Sequence, residues 1–163
     1  MPIFQRETIL PPPAEKRIQT LQNSFQISFP SSYLRFIDRY NGVNLTNGVV
    51  RTSLGEFVLE FFLPIVNDIK YDARGSEDLA VVAAQLDWGL VGDENAIGLE
   101  LVPIAAMYAG NYLVLDYRIP GNEPRISYWN HELSSEFSPH AVPIFSSFQE
   151  LWAMIDEDFG VKI

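Results

Sequence analysis

The chain of 163 residues contains no cysteine. Disulfides, thiolate metal sites and a cysteine nucleophile are thereby excluded, whatever compartment the protein occupies. Lysine is scarce, at positions 16, 70 and 162 only, and 11 basic side chains face 21 acidic ones for a formal net charge of −10. That balance argues against nucleic acid as a direct partner, because holding phosphates needs a basic footprint. No segment approaches the about 18 to 20 apolar residues of a membrane span, and MPIFQRETIL lacks the charged start and apolar run of a secretory signal. The expectation is a soluble, cytoplasmic protein with no membrane contact. P-loop, G-x-G-x-x-G, G-x-S-x-G and H-E-x-x-H motifs are all missing. No cofactor and no metal are expected.

Material for a core is plentiful, with 47% apolar and 13% aromatic residues. Length and composition fit one domain over 1–163. Four stretches carry helical spacing. PPPAEKRIQTLQNSF (11–25) repeats Ile18, Leu21 and Phe25 after prolines that can open a helix. PSSYLRFIDRYNG (30–42) places Tyr33, Phe36, Ile37 and Tyr40 on one face, with Gly42 as a left-handed stop. SEDLAVVAAQLDWG (76–89) offers Ser76 as a cap and Leu79, Val82, Ala83 and Leu86 as a stripe. SFQELWAMIDEDFG (147–160) opens on an S-x-x-E capping box, Ser147 and Glu150.

Between them, GVVRTS, FVLEFFLPI, GLELVPIAAMY, YLVLDYR, RISYWNH and AVPIF are short, β-branched or aromatic, and bounded by turn formers. Gly110-Asn111 pairs the third and fourth as a hairpin, and IPGNEP (119–124) turns the chain into RISYWNH. Alternation sets Leu113, Leu115 and Tyr117 on one face and Tyr112, Val114 and Asp116 on the other, the second free to look outward. The expected class is α+β, a mostly antiparallel sheet of about five to six strands with helices packed on one side.

The chemistry concentrates in RISYWNHE (125–132). An enzyme would use His131 as a general base oriented by Glu132 or Asp116, or as a metal ligand with His140. Neighbouring residues on a strand diverge, however, which separates His131 from Glu132 unless the strand has ended. A purely structural role would have Trp129 cover the sheet while Asn130 and His131 satisfy backbone groups. A binding surface would set the aromatics Tyr112, Tyr128 and Trp129 beside His131, Asp116, Glu132 and Glu136, a mixture typical of interface centres. Asp116, mid-strand among apolar residues, must face solvent or find a donor such as Arg118 or Arg125. In GDENA (92–96), Asp93 and Glu94 are candidate contacts for a basic partner, although most charge runs are solvated faces. Asn41-Gly42 and Gly110-Asn111 read as helix stop and turn.

FPSSYLRFIDRYNGV, GNYLVLDY, YWNHE and SFQEL, in this order, resemble the SUKH superfamily of Smi/Knr-type cell-wall regulators and bacterial immunity proteins. Pro30, Tyr33, Phe36, Tyr40, Asn41 and Gly42 match its helix motif, with Val43 in place of a second glycine. Gly110, Asn111, Leu115 and Asp116 match its hairpin, and Tyr128, Trp129, His131 and Glu132 its next strand end, where Asn130 replaces an aspartate. The segment 66–100 departs from the pattern and is a candidate for encoding partner choice. The resemblance implies an α+β, SUKH-like fold and a non-enzymatic immunity protein that binds and neutralises a toxin domain, often a nuclease. The acidic balance agrees with a basic toxin as partner, since opposite fields speed encounter. An intracellular regulator or scaffold that binds a host protein or peptide is the alternative, and a small hydrolase built on His131 a further one.

Overall fold

A computed structural model of the chain describes residues 2–161. After β1 (Ile3–Gln5) come two helices, α1 (Glu15–Phe25) and α2 (Ser31–Tyr40). Strands β2 (Asn44–Thr46), β3 (Val49–Thr52) and β4 (Gly55–Phe62) lead to α3 (Leu79–Leu86). A meander of β5 (Leu101–Met107), β6 (Tyr112–Asp116), β7 (Arg125–Trp129) and β8 (Ala141–Phe145) ends in α4 (Phe148–Ile155). The eight strands run in the order β1-β2-β4-β5-β6-β7-β8, with β3 paired to β4, and every pairing is antiparallel. The class is α+β as expected, with a larger sheet. Among the described residues no helix is long and apolar enough to cross a membrane.

Local chemistry explains most element ends. Gly42, with φ 72°, stops α2 in the left-handed region that a side chain disfavours. At α4 the Ser147 hydroxyl accepts from the Glu150 amide at 3.2 Å, while the Glu150 carboxylate turns back to the Ser146 amide at 3.0 Å, one residue before the cap itself. At α3 the expected cap is corrected. Ser76 lies in a 3-10 turn, and Asp78 caps the helix, its Oδ1 accepting from Ala80 N at 2.8 Å. A carboxylate serves better here because its second oxygen accepts from Val66 N at 2.8 Å while Arg17 donates to the first at 3.0 Å. The β5-β6 turn is shifted by one residue from Gly110-Asn111: Ala109 and Gly110 hold the positive φ values, and Asn111 is extended.

Register decides which side chains share a face. Phe62, Ala105, Leu113 and Tyr128 stand opposite one another on one face, and Phe61, Ala106, Tyr112 and Trp129 on the other. On the first, Phe62 meets Phe36 of α2 at 4.5 Å and Phe148 of α4 at 6.5 Å between ring centroids. On the second, Arg74 lies over Phe61 and the Gly89 carbonyl meets Trp129. The face of Tyr112, Val114 and Asp116 is therefore covered, and Val114 and Asp116 are buried. The chain between β4 and β5 covers it at Phe61 and Trp129, and the Arg118 and Arg125 side chains cover Asp116.

Candidate partner-binding site

RISYWNHE is first an anchoring device. Strand β7 ends at Trp129, whose side chain is 0% exposed and donates its indole N–H to the Gly89 carbonyl at 2.8 Å. Position 89 has to be glycine for this packing, because a Cβ there would stand 2.9 Å from the Trp129 ring. Asn111 bridges the neighbouring strand ends: its Nδ2 donates to the Tyr128 hydroxyl at 2.6 Å and its Oδ1 accepts from the His131 amide at 2.9 Å. Beyond the strand, Asn130 donates its amide to the His140 carbonyl at 2.9 Å and accepts from the Leu133 amide at 3.1 Å. The acceptor oxygen is what this turn needs, and asparagine supplies it as an aspartate would. Phe137 N then donates to the Trp88 carbonyl at 2.9 Å. Loop 130–140 is thus tied at both ends and again near its middle.

Asp116 is the polar centre of the covered face. Its carboxylate accepts from Arg118 Nε at 2.9 Å, Arg118 Nη2 at 2.8 Å, Arg125 Nη2 at 3.1 Å, Ser127 Oγ at 2.7 Å and the Arg118 amide at 3.0 Å. Arg118 continues to the Ala141 carbonyl at 2.9 Å, so one guanidinium ties β6 to β8 across β7. Burial opposes ionisation of the carboxyl, yet the bonds from Arg118 and Ser127 outweigh it and hold its pKa below the usual aspartate value. The donors expected of Arg118 and Arg125 are both in use.

Trp88, fixed by these contacts, walls one end of an open groove of about 630 Å³ between α1 and α3. Leu21 and Phe25 of α1 and Ala80, Ala83 and Ala84 of α3 make its apolar lining, and Leu99 and Phe137 close it. Asp87 and Glu136 also line it, are exposed, and form no ion pair among the described residues. The one arginine of the lining, Arg17, is committed to Asp78 and to the Val66 carbonyl at 3.0 Å. The groove therefore has an apolar floor and a negative rim.

The residues singled out in the sequence separate on this frame. Glu136 is on the groove, and Asp93 and Glu94 are exposed in the loop that returns to it through Gly98 and Leu99. His131 is exposed beside it, the imidazole edge-on to Trp88 at 5.9 Å and to Trp129 at 6.0 Å, and Glu132 is exposed one residue further along the loop, where its charge bears on Tyr128. Tyr112 and Tyr128 are half-buried on opposite faces of the sheet, Tyr128 leaning on Phe57 at 4.8 Å between ring centroids. Asp116 and Trp129 need correction as partner contacts: both are enclosed, one by arginines and one by Trp88 and Gly89, and neither presents a surface. Among the described residues no hydrogen bond joins the His131 ring to a carboxylate, and no group of three or more acidic or histidine side chains could hold a metal. Asp87, Trp88 and Phe137 went unnoticed in the sequence. The available signal was an aromatic, Phe137, standing alone in the polar run SSEFSPH.

Comparison with curated proteins gives no match. A family model described as SMI1-KNR4 cell-wall matches residues 15–151, from the first turn of α1 into α4, and spans every element that builds the groove and the Asp116 cluster. The chain belongs to this family, SUKH_6 of the SMI1-KNR4 group.

Proposed function

We propose that this protein is a non-enzymatic binding protein of the immunity type, which captures a basic toxin domain in the cytoplasm and holds it inactive. The observation that carries the reading is the negative rim of the α1-α3 groove, where Asp87 and Glu136 stand exposed and unpaired among the described residues beside an apolar floor. Asp93 and Glu94 are exposed in the loop that leads back to the groove and Glu132 in loop 130–140, on a chain of net charge −10. Such a field draws a cationic partner in and disfavours other partners, while the apolar floor supplies the desolvated contact that slows release. A nuclease toxin fits best, because its own substrate surface must be basic and an acidic inhibitor seated there blocks it sterically and electrostatically. His131 takes no chemical role in this scheme.

Expressing the C-terminal domain of a large toxin-like reading frame encoded beside this gene, with and without the protein, tests the reading. Cells should survive only when both are made, and the purified pair should form a one-to-one complex that weakens with salt and with charge reversal at Asp93, Glu94 or Glu132. Death of the cells in both arms, together with no complex by size-exclusion chromatography, overturns it. A stable complex with a host protein and no rescue would point to the regulator instead.

A further inference from the structure

We propose that the α1-α3 groove seats one short amphipathic helix of the partner, apolar on the side that enters and arginine- or lysine-bearing on its flank. The inference rests on the capture of a basic partner argued above and names the element captured. Shape is the first reason. Both long walls are helices, so among the described residues no free strand edge borders the groove, and an extended peptide would find no backbone ladder to join. The eight residues of α3 run about 12 Å, which matches about two turns of a third helix laid alongside. Ala80, Ala83 and Ala84 keep that wall low, and small side chains allow helix axes to approach to about 8 Å.

Charge is the second reason. Arg17 is neutralised by Asp78, whose side chain is 0% exposed, which leaves Asp87 and Glu136 to set the sign of the rim. A basic flank is favoured, and a second copy of this chain, itself at −10, is repelled. Rigidity is the third. Leu99 N donates to the Phe25 carbonyl at 3.1 Å and Phe137 N to the Trp88 carbonyl at 2.9 Å, so one closing loop is fixed by a backbone bond to the end of α1 and the other by one to the 3-10 turn that follows α3. A groove already formed spares the ordering that binding would otherwise require.

The test uses the full chain and a synthetic, tryptophan-free peptide of about fourteen residues, helical, with leucines on one face and arginines on the flank. A counterpart carries glutamate for each arginine. Of the three tryptophans, Trp129 and Trp152 are buried and Trp88 lines the groove, so seating of the peptide reads out as a change in Trp88 emission. The basic peptide should bind saturably, and the signal should vanish in Trp88→Phe while anisotropy of a labelled peptide still reports binding. The double reversal Asp87→Lys with Glu136→Lys should weaken binding about tenfold or more, two charge pairs being turned from attraction to repulsion. Ala84→Trp, at an exposed position, should fill the groove and block it, and Asp38→Lys on α2 should change nothing. Equal binding of the two peptides, binding indifferent to both groove changes, no binding at all, or dimerisation abolished by Ala84→Trp would each overturn the inference. A chain carrying Ala84→Trp that still rescues toxin-expressing cells would sink the groove and leave the immunity reading standing. A chain that binds the basic peptide in the groove but rescues no cell would do the reverse.

Discussion

Replacing Asp116 by asparagine keeps the shape of the side chain and removes the charge at the centre of the covered face. The carboxylate is 0% exposed and accepts five hydrogen bonds, three from Arg118, one from Arg125 and one from Ser127. Asparagine offers one oxygen and turns an NH2 toward guanidinium donors, so the two arginines lose their anion and keep their burial. Removing one member of a buried pair typically costs about 3–5 kcal/mol. Arg118 and Arg125 retain 27% and 31% side-chain exposure, and partial release to water brings the expected loss to about 2–3 kcal/mol. In urea unfolding followed by circular dichroism at neutral pH, with a slope of about 2 kcal/mol per molar, the midpoint should fall by about 1–1.5 M.

The pH dependence carries an independent check on the same substitution. The folded-state pKa of Asp116 is lowered: burial alone would raise it, and the Arg118 and Ser127 bonds together overcome that. A depressed carboxyl contributes stability that is complete above its unfolded value of about 4 and is lost as pH falls through the lower folded value. The stability difference between wild type and Asp116→Asn should hold steady above about pH 5 and shrink as acid protonates the wild-type carboxyl. A loss below about 0.5 kcal/mol, or a variant whose acid limb follows the wild type, would refute the account of a carboxylate held by its donors.

Two glycines with nearly equal φ should part company when each becomes alanine. At Gly98, φ 86°, the new Cβ would lie 2.2 Å from the Phe25 carbonyl, whereas at Gly110, φ 78°, nothing lies within 4 Å. Thermal melts should show about 1 kcal/mol lost at Gly110 and about 3 kcal/mol or more at Gly98, and equal losses would mean that backbone strain, not crowding, governs both. Ser147→Ala removes the α4 cap and should lower stability by about 1 kcal/mol in urea titration; no change would mean that the Glu150–Ser146 contact alone holds the helix start. His131→Ala should leave the fold intact at a loss of about 0.5–1 kcal/mol, with altered tryptophan emission because the ring packs edge-on to Trp88 and Trp129. A collapse of near-ultraviolet dichroism in that variant would contradict a peripheral histidine.

The sequence announced elements wherever one local rule sufficed. Tyr33, Phe36, Ile37 and Tyr40 repeat at helical spacing, and all four are buried in α2. Asp116 in an apolar strand had to find a donor, and Arg118 and Arg125 were close enough in the chain to be named. Strands β1 and β2 escaped notice because three residues carry no readable period, and their pairing joins Phe4 to Leu45 across the first helices. Whether Trp129 is a surface anchor or a buried cover is undecided in the sequence for a similar reason. Its cover, Gly89 and Trp88, lies far back in the chain, and no alternation within β7 reveals which of its two faces another segment will occupy. The groove was the least legible feature, since it exists only when α1, α3, Leu99 and Phe137 come together.

The division of labour inside RISYWNHE and its loop follows from these bonds. Tyr128, Trp129 and Asn130 spend their polar atoms on Asn111, Gly89, Leu133 and His140, so each is committed to holding geometry. Glu132, Glu136, Asp93 and Glu94 are exposed and make no ion pair among the described residues, and apart from Asp93, whose carboxylate accepts from the Asn95 amide at 2.9 Å, folding places little demand on their identity. Exposed substitutions of this kind usually shift stability by less than about 0.5 kcal/mol, whereas a change at Gly89 or Trp129 disturbs packing in the core. Charge at these exposed positions is therefore free to vary while the mount beneath it stays fixed. If the proposed capture of a cationic partner holds, such a surface can exchange one partner for another by substitution on two loops, without any part of the sheet being redesigned.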